Sequence, residues 1–229
     1  MMETYLRELF ADPEMLRMGH AQRLADHNLG LGWIYYAFGR LIRPARAVVV
    51  GSYRGFVPSV IAKSLQDNME GGEVWFIDPS LVDDFWKVPA RVTETFQRLG
   101  TPNVRHYPHT TQEFVATEAY AGLSGVGLVM IDGYHSAEQA RFDYLAFVDK
   151  LSADAIVLFH DSTQQRTSSF YGDDRKYEHT VCLLMERLTR TPGLEVFTLP
   201  FASGLTLVKG RPESLQWINE PFGVACTAG

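Results

Sequence analysis

Short apolar runs recur along the chain, and each stops at a glycine or a polar residue. Ala47-Val48-Val49-Val50 stops at Gly51, Val74-Trp75-Phe76-Ile77 at Asp78, Val126 to Ile131 at Asp132, and Ala155 to Phe159 at His160-Asp161. Continuous β-branched runs of this kind suit strands buried on both faces of a parallel sheet. Val104 to Tyr107 is a weaker strand of the same type. Helical stretches separate them: about Pro58 to Gln66, Thr93 to Leu99, Thr111 to Tyr120 (capped by Thr110 or Thr111), Ala137 to Leu151, and Glu178 to Thr189. Pro58 fits a first helical turn, where its missing N–H costs nothing. Tyr5 to Ile42 reads as helical with breaks at Gly30 and Gly32, and Pro44 ends it. Leu194 to Leu199 and Leu205 to Val208 predict an antiparallel hairpin at a sheet edge, and polar Ser162 to Asp174 is long enough for a lid loop.

Strands alternating with helices predict an α/β, doubly wound, Rossmann-like sheet that binds ligands at the carboxyl ends of its strands. The 229 residues are read as one domain: an N-terminal helical region (1–43), the α/β core (44–209) and a C-terminal tail (210–229). Composition adds exclusions. There are 27 acids against 21 Lys and Arg, for a net charge of −6, and no basic run. That balance argues against a nucleic-acid partner, which needs clustered cations. The N-terminus has no signal-type apolar stretch and no run approaches a membrane span, so no membrane partner is expected. Cys182 and Cys226 form no CxxC pair. A structural zinc site is therefore not expected, and a reducing cytoplasm is the natural compartment.

The chemistry-bearing residues sit where the strands stop. Gly51-Ser52-Tyr53-Arg54-Gly55 makes a glycine turn that allows a ligand to approach backbone. It is neither a dinucleotide fingerprint nor a Walker loop. Asp78, at the end of the second strand, can accept hydrogen bonds from a ribose diol. In a doubly wound sheet the fourth and fifth strands are neighbours, which brings Asp132, His135, His160 and Asp161 together. Such a group can hold a hard divalent ion or deprotonate a hydroxyl. Tyr53 and Tyr134 can stack on a ligand or simply pack, and Asp83-Asp84 and Asp173-Asp174 read as solvated pairs. His106, His109 and His179 have no partner legible in the sequence.

These residues carry a family resemblance. The glycine turn after a hydrophobic strand resembles motif I of class I S-adenosylmethionine-dependent methyltransferases, and Phe76-Ile77-Asp78 resembles their ribose-binding motif. Ile131-Asp-Gly-Tyr-His-Ser136 and Phe159-His-Asp-Ser162 resemble signatures of the Methyltransf_24 branch, related to macrocin O-methyltransferases and cephalosporin-hydroxylase-like proteins, and Tyr177 to Val181 also fits it. The resemblance spans Pro44 to Lys209. It implies a seven-stranded, mostly parallel sheet with an antiparallel edge strand, and S-adenosylmethionine as cofactor. Gly51, Ser52, Tyr53 and Gly55 would then face its methionine and ribose, Asp78 the ribose hydroxyls, Thr110 to Gln112 (with Thr111 at the centre) the adenine, and Asp132 the sulfonium end.

The implied reaction is methyl transfer to a hydroxyl of a small molecule, such as a sugar or natural product. Asp132, His135 and Asp161 are the candidate catalytic residues. In metal-dependent relatives the positions of Asp132, His160 and Asp161 bind a magnesium-type ion, although a carboxylate or amide usually stands where this chain has His160. Motif I departs from the family at Val49, where an acid is usual, and at Val57, where a Ser or Thr helix cap is common. Two other classes stay open on the sequence: a cofactor-binding module without catalysis, and a metal-dependent hydrolase. Trp33, Tyr35, Tyr36, Phe170 and Tyr171 could line an acceptor pocket, and the apolar N-terminal region suits a homodimer.

Overall fold

The structure, a computed structural model, describes residues 2–16, 19–223 and 226. Among the described residues, nine strands form in chain order: β1 (Arg46–Val50), β2 (Glu73–Ile77), β3 (Val104–Tyr107), β4 (Val126–Ile131), β5 (Leu151–His160), β6 (Arg166–Ser168), β7 (Tyr177–His179), β8 (Leu194–Leu199) and β9 (Leu205–Gly210). Seven of them make one sheet in the order β3-β2-β1-β4-β5-β9-β8. β1 to β5 pair in parallel, and β9 pairs antiparallel with both β5 and β8, so the edge hairpin supplies the single reversed strand. The doubly wound sheet expected from the strand–helix alternation is thus the observed one.

Strand alternation explains the two cores. Val49, Phe76, Met130 and Leu158 point into one, with Tyr35, Phe56 and Ile61. Val48, Trp75, Val129 and Val157 point into the other, with Phe114, Tyr144 and Leu184. Successive strand residues face opposite ways, so a continuous apolar run fills both layers. Val49, at the position where an acid is usual, is wholly buried in the first core.

The helices are α1 (Met2–Phe10), α2 (Gly32–Ile42), α3 (Phe56–Asn68), α4 (Pro89–Arg98), α5 (Thr111–Phe114), α6 (Glu118–Ala121), α7 (Ala137–Val148) and α8 (Val181–Thr189). Val57 carries no capping side chain, but the Ser52 hydroxyl accepts its N–H at 3.2 Å and does that work from the preceding turn. The stretch read as one helix from Thr111 to Tyr120 is two. Thr110 starts α5 with a capping box, and Thr117 caps α6 by accepting the Tyr120 N–H, so the cap residue inside the stretch breaks it.

Two expectations are corrected here. The polar segment after β5 is no structureless lid: Arg166–Ser168 pairs antiparallel with Tyr177–His179. Glu178 therefore belongs to a strand, and the helix begins at Val181. The two cysteines are also not separate thiols. Cys182 and Cys226 form a disulfide with Cα atoms 6.0 Å apart, tying the tail to α8. Among the described residues, no helix is long and apolar enough to cross a membrane.

Candidate active site

Strand order reverses between β1 and β4, and a cavity of about 500 Å³ opens at the carboxyl ends of the strands there. This is where a doubly wound sheet offers a crevice, and the size suits a nucleoside-sized ligand with room for a second molecule. Gly51, Ser52, Tyr53, Asp78, Thr111, Asp132, His135, His160 and Asp161 all line it.

The glycine turn works differently from a phosphate-type cradle. Gly51 (φ +71°) donates its N–H to the Ile77 carbonyl, Ser52 donates to Asp78 Oδ2, and Gly55 donates to the Ser52 carbonyl. These N–H groups are spent inside the protein. A Cβ at position 51 would sit 2.4 Å from the Gly133 Cα, so glycine is required by the contact between the ends of β1 and β4. Gly55 lies behind the cavity, not on it. Its Cα faces the rings of Trp86 and Phe96, and its positive φ opens α3. The expected cofactor contact at Gly55 is thus replaced by packing.

Asp78 accepts from the Ser52 and Ser80 N–H groups at 3.2 and 2.7 Å. Burial pushes its carboxyl up to about 6, against those two bonds. His106, which had no legible partner, contacts the Asp78 carbonyl at 2.9 Å and fixes that strand end. Asp143 on α7, absent from the sequence reading, also lines the cavity. Gln139 donates to its Oδ1 at 2.8 Å, while its buried Oδ2 has no partner. Burial pushes Asp143 up to about 6 too. A buried acceptor left unpaired costs about 1–3 kcal/mol, a debt that a ligand donor can cancel. A carboxylate at one wall and an unpaired acceptor beside Thr111 and Gln112 leave polar anchor points for a ligand.

The other end of the cavity holds two linked triads. In one, Asp132 Oδ2 lies 3.3 Å from His20 Nε2 and Asp132 Oδ1 lies 3.0 Å from His160 Nδ1. In the other, Asp161 Oδ2 lies 3.0 Å from His179 Nδ1 and 3.8 Å from His135 Nε2. Arg166 also donates to Asp161 Oδ2 at 2.8 Å. His160 joins the two, with Nδ1 3.7 Å from Asp161 Oδ1. Burial pushes Asp132 up, but His160 and His20 outweigh it and hold the carboxyl well below its usual range. Asp161 is held low in the same way by His179, His160, His135 and Arg166. Burial lowers His135 to about 4 despite Asp161, so its ring is neutral at pH 7.

Sequence reasoning brought Asp132, His135, His160 and Asp161 together correctly, but missed His20 and left His179 without a partner. Both arrive from segments with no strand-end signal: His20 from the loop before α2, His179 from β7. Of the proposed acceptor-lining aromatics, Phe170 and Tyr171 do line the cavity, joined by Tyr134 and Tyr177 in a stacked group. Tyr35 instead bonds His20 Nδ1 at 2.9 Å, Tyr36 bonds Asp67, and Trp33 is partly exposed on α2; none of the three lines the cavity.

A magnesium-type ion does not fit here. Magnesium takes oxygen donors. In this site both oxygens of Asp132 face imidazole nitrogens, and Asp161 Oδ2 faces His179 and Arg166.

A seven-stranded sheet with one reversed strand, and a cavity built from the ends of β1, β2, β4 and β5, make up the Rossmann-like methyltransferase fold. The Methyltransf_24 family model, "Methyltransferase domain", matches residues 48–162, and the chain belongs to that family. The matched region is a methyltransferase domain. Solved structures share the fold at low identity. The O-methyltransferase TomG from Streptomyces achromogenes, in complex with SAM, aligns with TM-score 0.63 at 13% identity, covering 91% of this chain and 90% of that one. SAH-bound PaMTH1 from Podospora anserina gives 0.61 at 16%, covering 92% and 87%. The Bacillus cereus O-methyltransferase in complex with SAH gives 0.63 at 11%, covering 90% of both chains. No curated protein matches.

Proposed function

We propose that the protein transfers the methyl group of S-adenosylmethionine to a hydroxyl of a small molecule. The observation that carries this reading is the His135–Asp161 pair on the cavity wall, on the same cavity as Asp78 and Asp143. Bound S-adenosylmethionine supplies a methyl already activated on a sulfonium. The protein must orient the acceptor and remove one proton.

Asp78 accepts from the ribose hydroxyls, and Oδ2 of Asp143 accepts from the exocyclic amine of adenine. Neutral His135 would take the acceptor's hydroxyl proton as the oxygen receives the methyl group. Asp161 stabilises the resulting imidazolium. Asp132 closes the sulfonium end and holds His160 and His20. Tyr134, Tyr171 and Tyr177 offer apolar faces for a ring-bearing acceptor. TomG and the Bacillus cereus protein, which share the fold, are O-methyltransferases by name.

The volume of the cavity suits a small acceptor rather than a nucleic acid. A homodimer through the N-terminal region is part of the same proposal. Trp33 and Leu41 on α2 are its exposed apolar residues, and sedimentation velocity measures it.

The test is a mass-spectrometric screen of hydroxylated and aminated small molecules incubated with the protein and methyl-labelled cofactor. Label on oxygen, lost in His135→Gln, supports the reading. Label on nitrogen or carbon acceptors only would replace it.

A further inference from the structure

The two triads share a composition, two histidines and one aspartate, yet their surroundings differ. In His135–Asp161–His179 the carboxylate is already neutralised by Arg166. In His20–Asp132–His160 no such cation is present among the described residues. The three side chains there are 1%, 8% and 3% exposed.

His160 is the decisive residue. Both of its ring nitrogens are buried, and Nδ1 lies only 3.0 Å from Asp132 Oδ1, with the Gly19 backbone as its other polar neighbour. The Nδ1 contact is close but falls short of an aligned N–H···O bond. Two donors each about 2.0 Å from a tetrahedral ion stand about 3.3 Å apart. Each imidazole approaches its own oxygen of Asp132 near that spacing, His160 Nδ1 at 3.0 Å from Oδ1 and His20 Nε2 at 3.3 Å from Oδ2, and one donor atom from each of the three residues lies within 4.8 Å of the others. His20 carries the supporting contact that metal-binding imidazoles usually have. Its Nδ1 meets the Tyr35 hydroxyl at 2.9 Å, which leaves Nε2 to face Asp132.

We propose that His20, Asp132 and His160 form a binding site for one divalent first-row ion of the zinc class. Two imidazoles and one carboxylate are a nitrogen-rich donor set suited to such an ion and poor for magnesium. Three protein ligands leave a coordination position open, and Asp132 and His160 face the cavity, so the ion would be a Lewis acid within reach of bound molecules. The site stands on its donors alone and is independent of whether the acceptor is a hydroxyl.

The test uses the full-length protein, stripped with chelator and titrated calorimetrically with zinc chloride, cobalt chloride or magnesium chloride. We expect one zinc or cobalt ion per chain, intense visible absorption bands from the cobalt form, and magnesium binding far weaker than zinc. His20→Ala should remove binding. Tyr35→Phe keeps all three ligands and should weaken binding roughly ten- to a hundredfold. It also guards against His20→Ala simply failing to fold. His135→Gln should bind as the native chain does. Absence of zinc and cobalt binding, magnesium binding as tight as zinc, or loss in His135→Gln equal to that in His20→Ala would overturn the proposal. Tyr35→Phe binding as tightly as the native chain would do the same.

Discussion

The two ends of the cavity are built by opposite strategies. At the cofactor end, between β1 and β2, the backbone is self-satisfied: the turn's N–H groups bond to Ile77, Asp78 and Ser52, and Gly51 is fixed by contact with Gly133. In the proposed function, recognition there falls to two carboxylates raised by burial, Asp78 and Asp143. At the acceptor end, between β4 and β5, two carboxylates are held low by crowded histidines. The same residue type is therefore tuned in opposite directions within one cavity. Burial dominates where hydrogen bonds are the only counterweight, and charge dominates where imidazoles gather. The first environment suits binding; the second suits moving a proton or holding an ion.

Substitutions at the acceptor end should have the largest effects and act on turnover. We expect Asp132→Asn and His135→Gln each to lower kcat by about a thousandfold, with cofactor affinity within a few fold of native and circular dichroism unchanged. Native turnover in Asp132→Asn would remove that residue from the mechanism. At the cofactor end the effect should fall on binding. Asp143→Ala should weaken S-adenosylmethionine binding about tenfold, from loss of one charge-assisted hydrogen bond, and leave kcat at saturation nearly intact. A smaller effect separates the two ends by pH. Asp78 and Asp143 accept hydrogen bonds best when ionised, and both titrate near 6. Cofactor affinity should therefore fall severalfold as pH drops from 7 to 5, and Asp143→Ala should flatten that fall. An affinity independent of pH over this range would mean that neither carboxylate faces the cofactor.

Legibility in the sequence cuts across that division. The sheet and the strand ends were legible because each strand is an apolar run that stops at a glycine or polar residue: Gly51, Asp78, Asp132, His160. Topology alone then brings the ends together. What lay hidden depends on contacts with no local signature. His20 sits in a loop before α2, between residues with positive φ, Gly19 and Ala21, and only the packed fold brings it to Asp132. Asp143 looks like an ordinary helix acid, and only burial of its face of α7 gives it a role. The β6–β7 hairpin is too short and polar to show an alternating pattern, so the sequence predicts a loop there and a helix from Glu178. The disulfide joins cysteines 44 residues apart, a pairing that spacing does not specify.

The most direct test of the central claim is calorimetric titration of the purified protein with S-adenosylmethionine and with its demethylated product, alongside Asp78→Ala. We expect both ligands to bind the native chain at one site, with Asp78→Ala weakening each by roughly ten- to a hundredfold through loss of the ribose contacts. No binding to the native chain, or equal binding to Asp78→Ala, would contradict the assignment of this cavity to the cofactor.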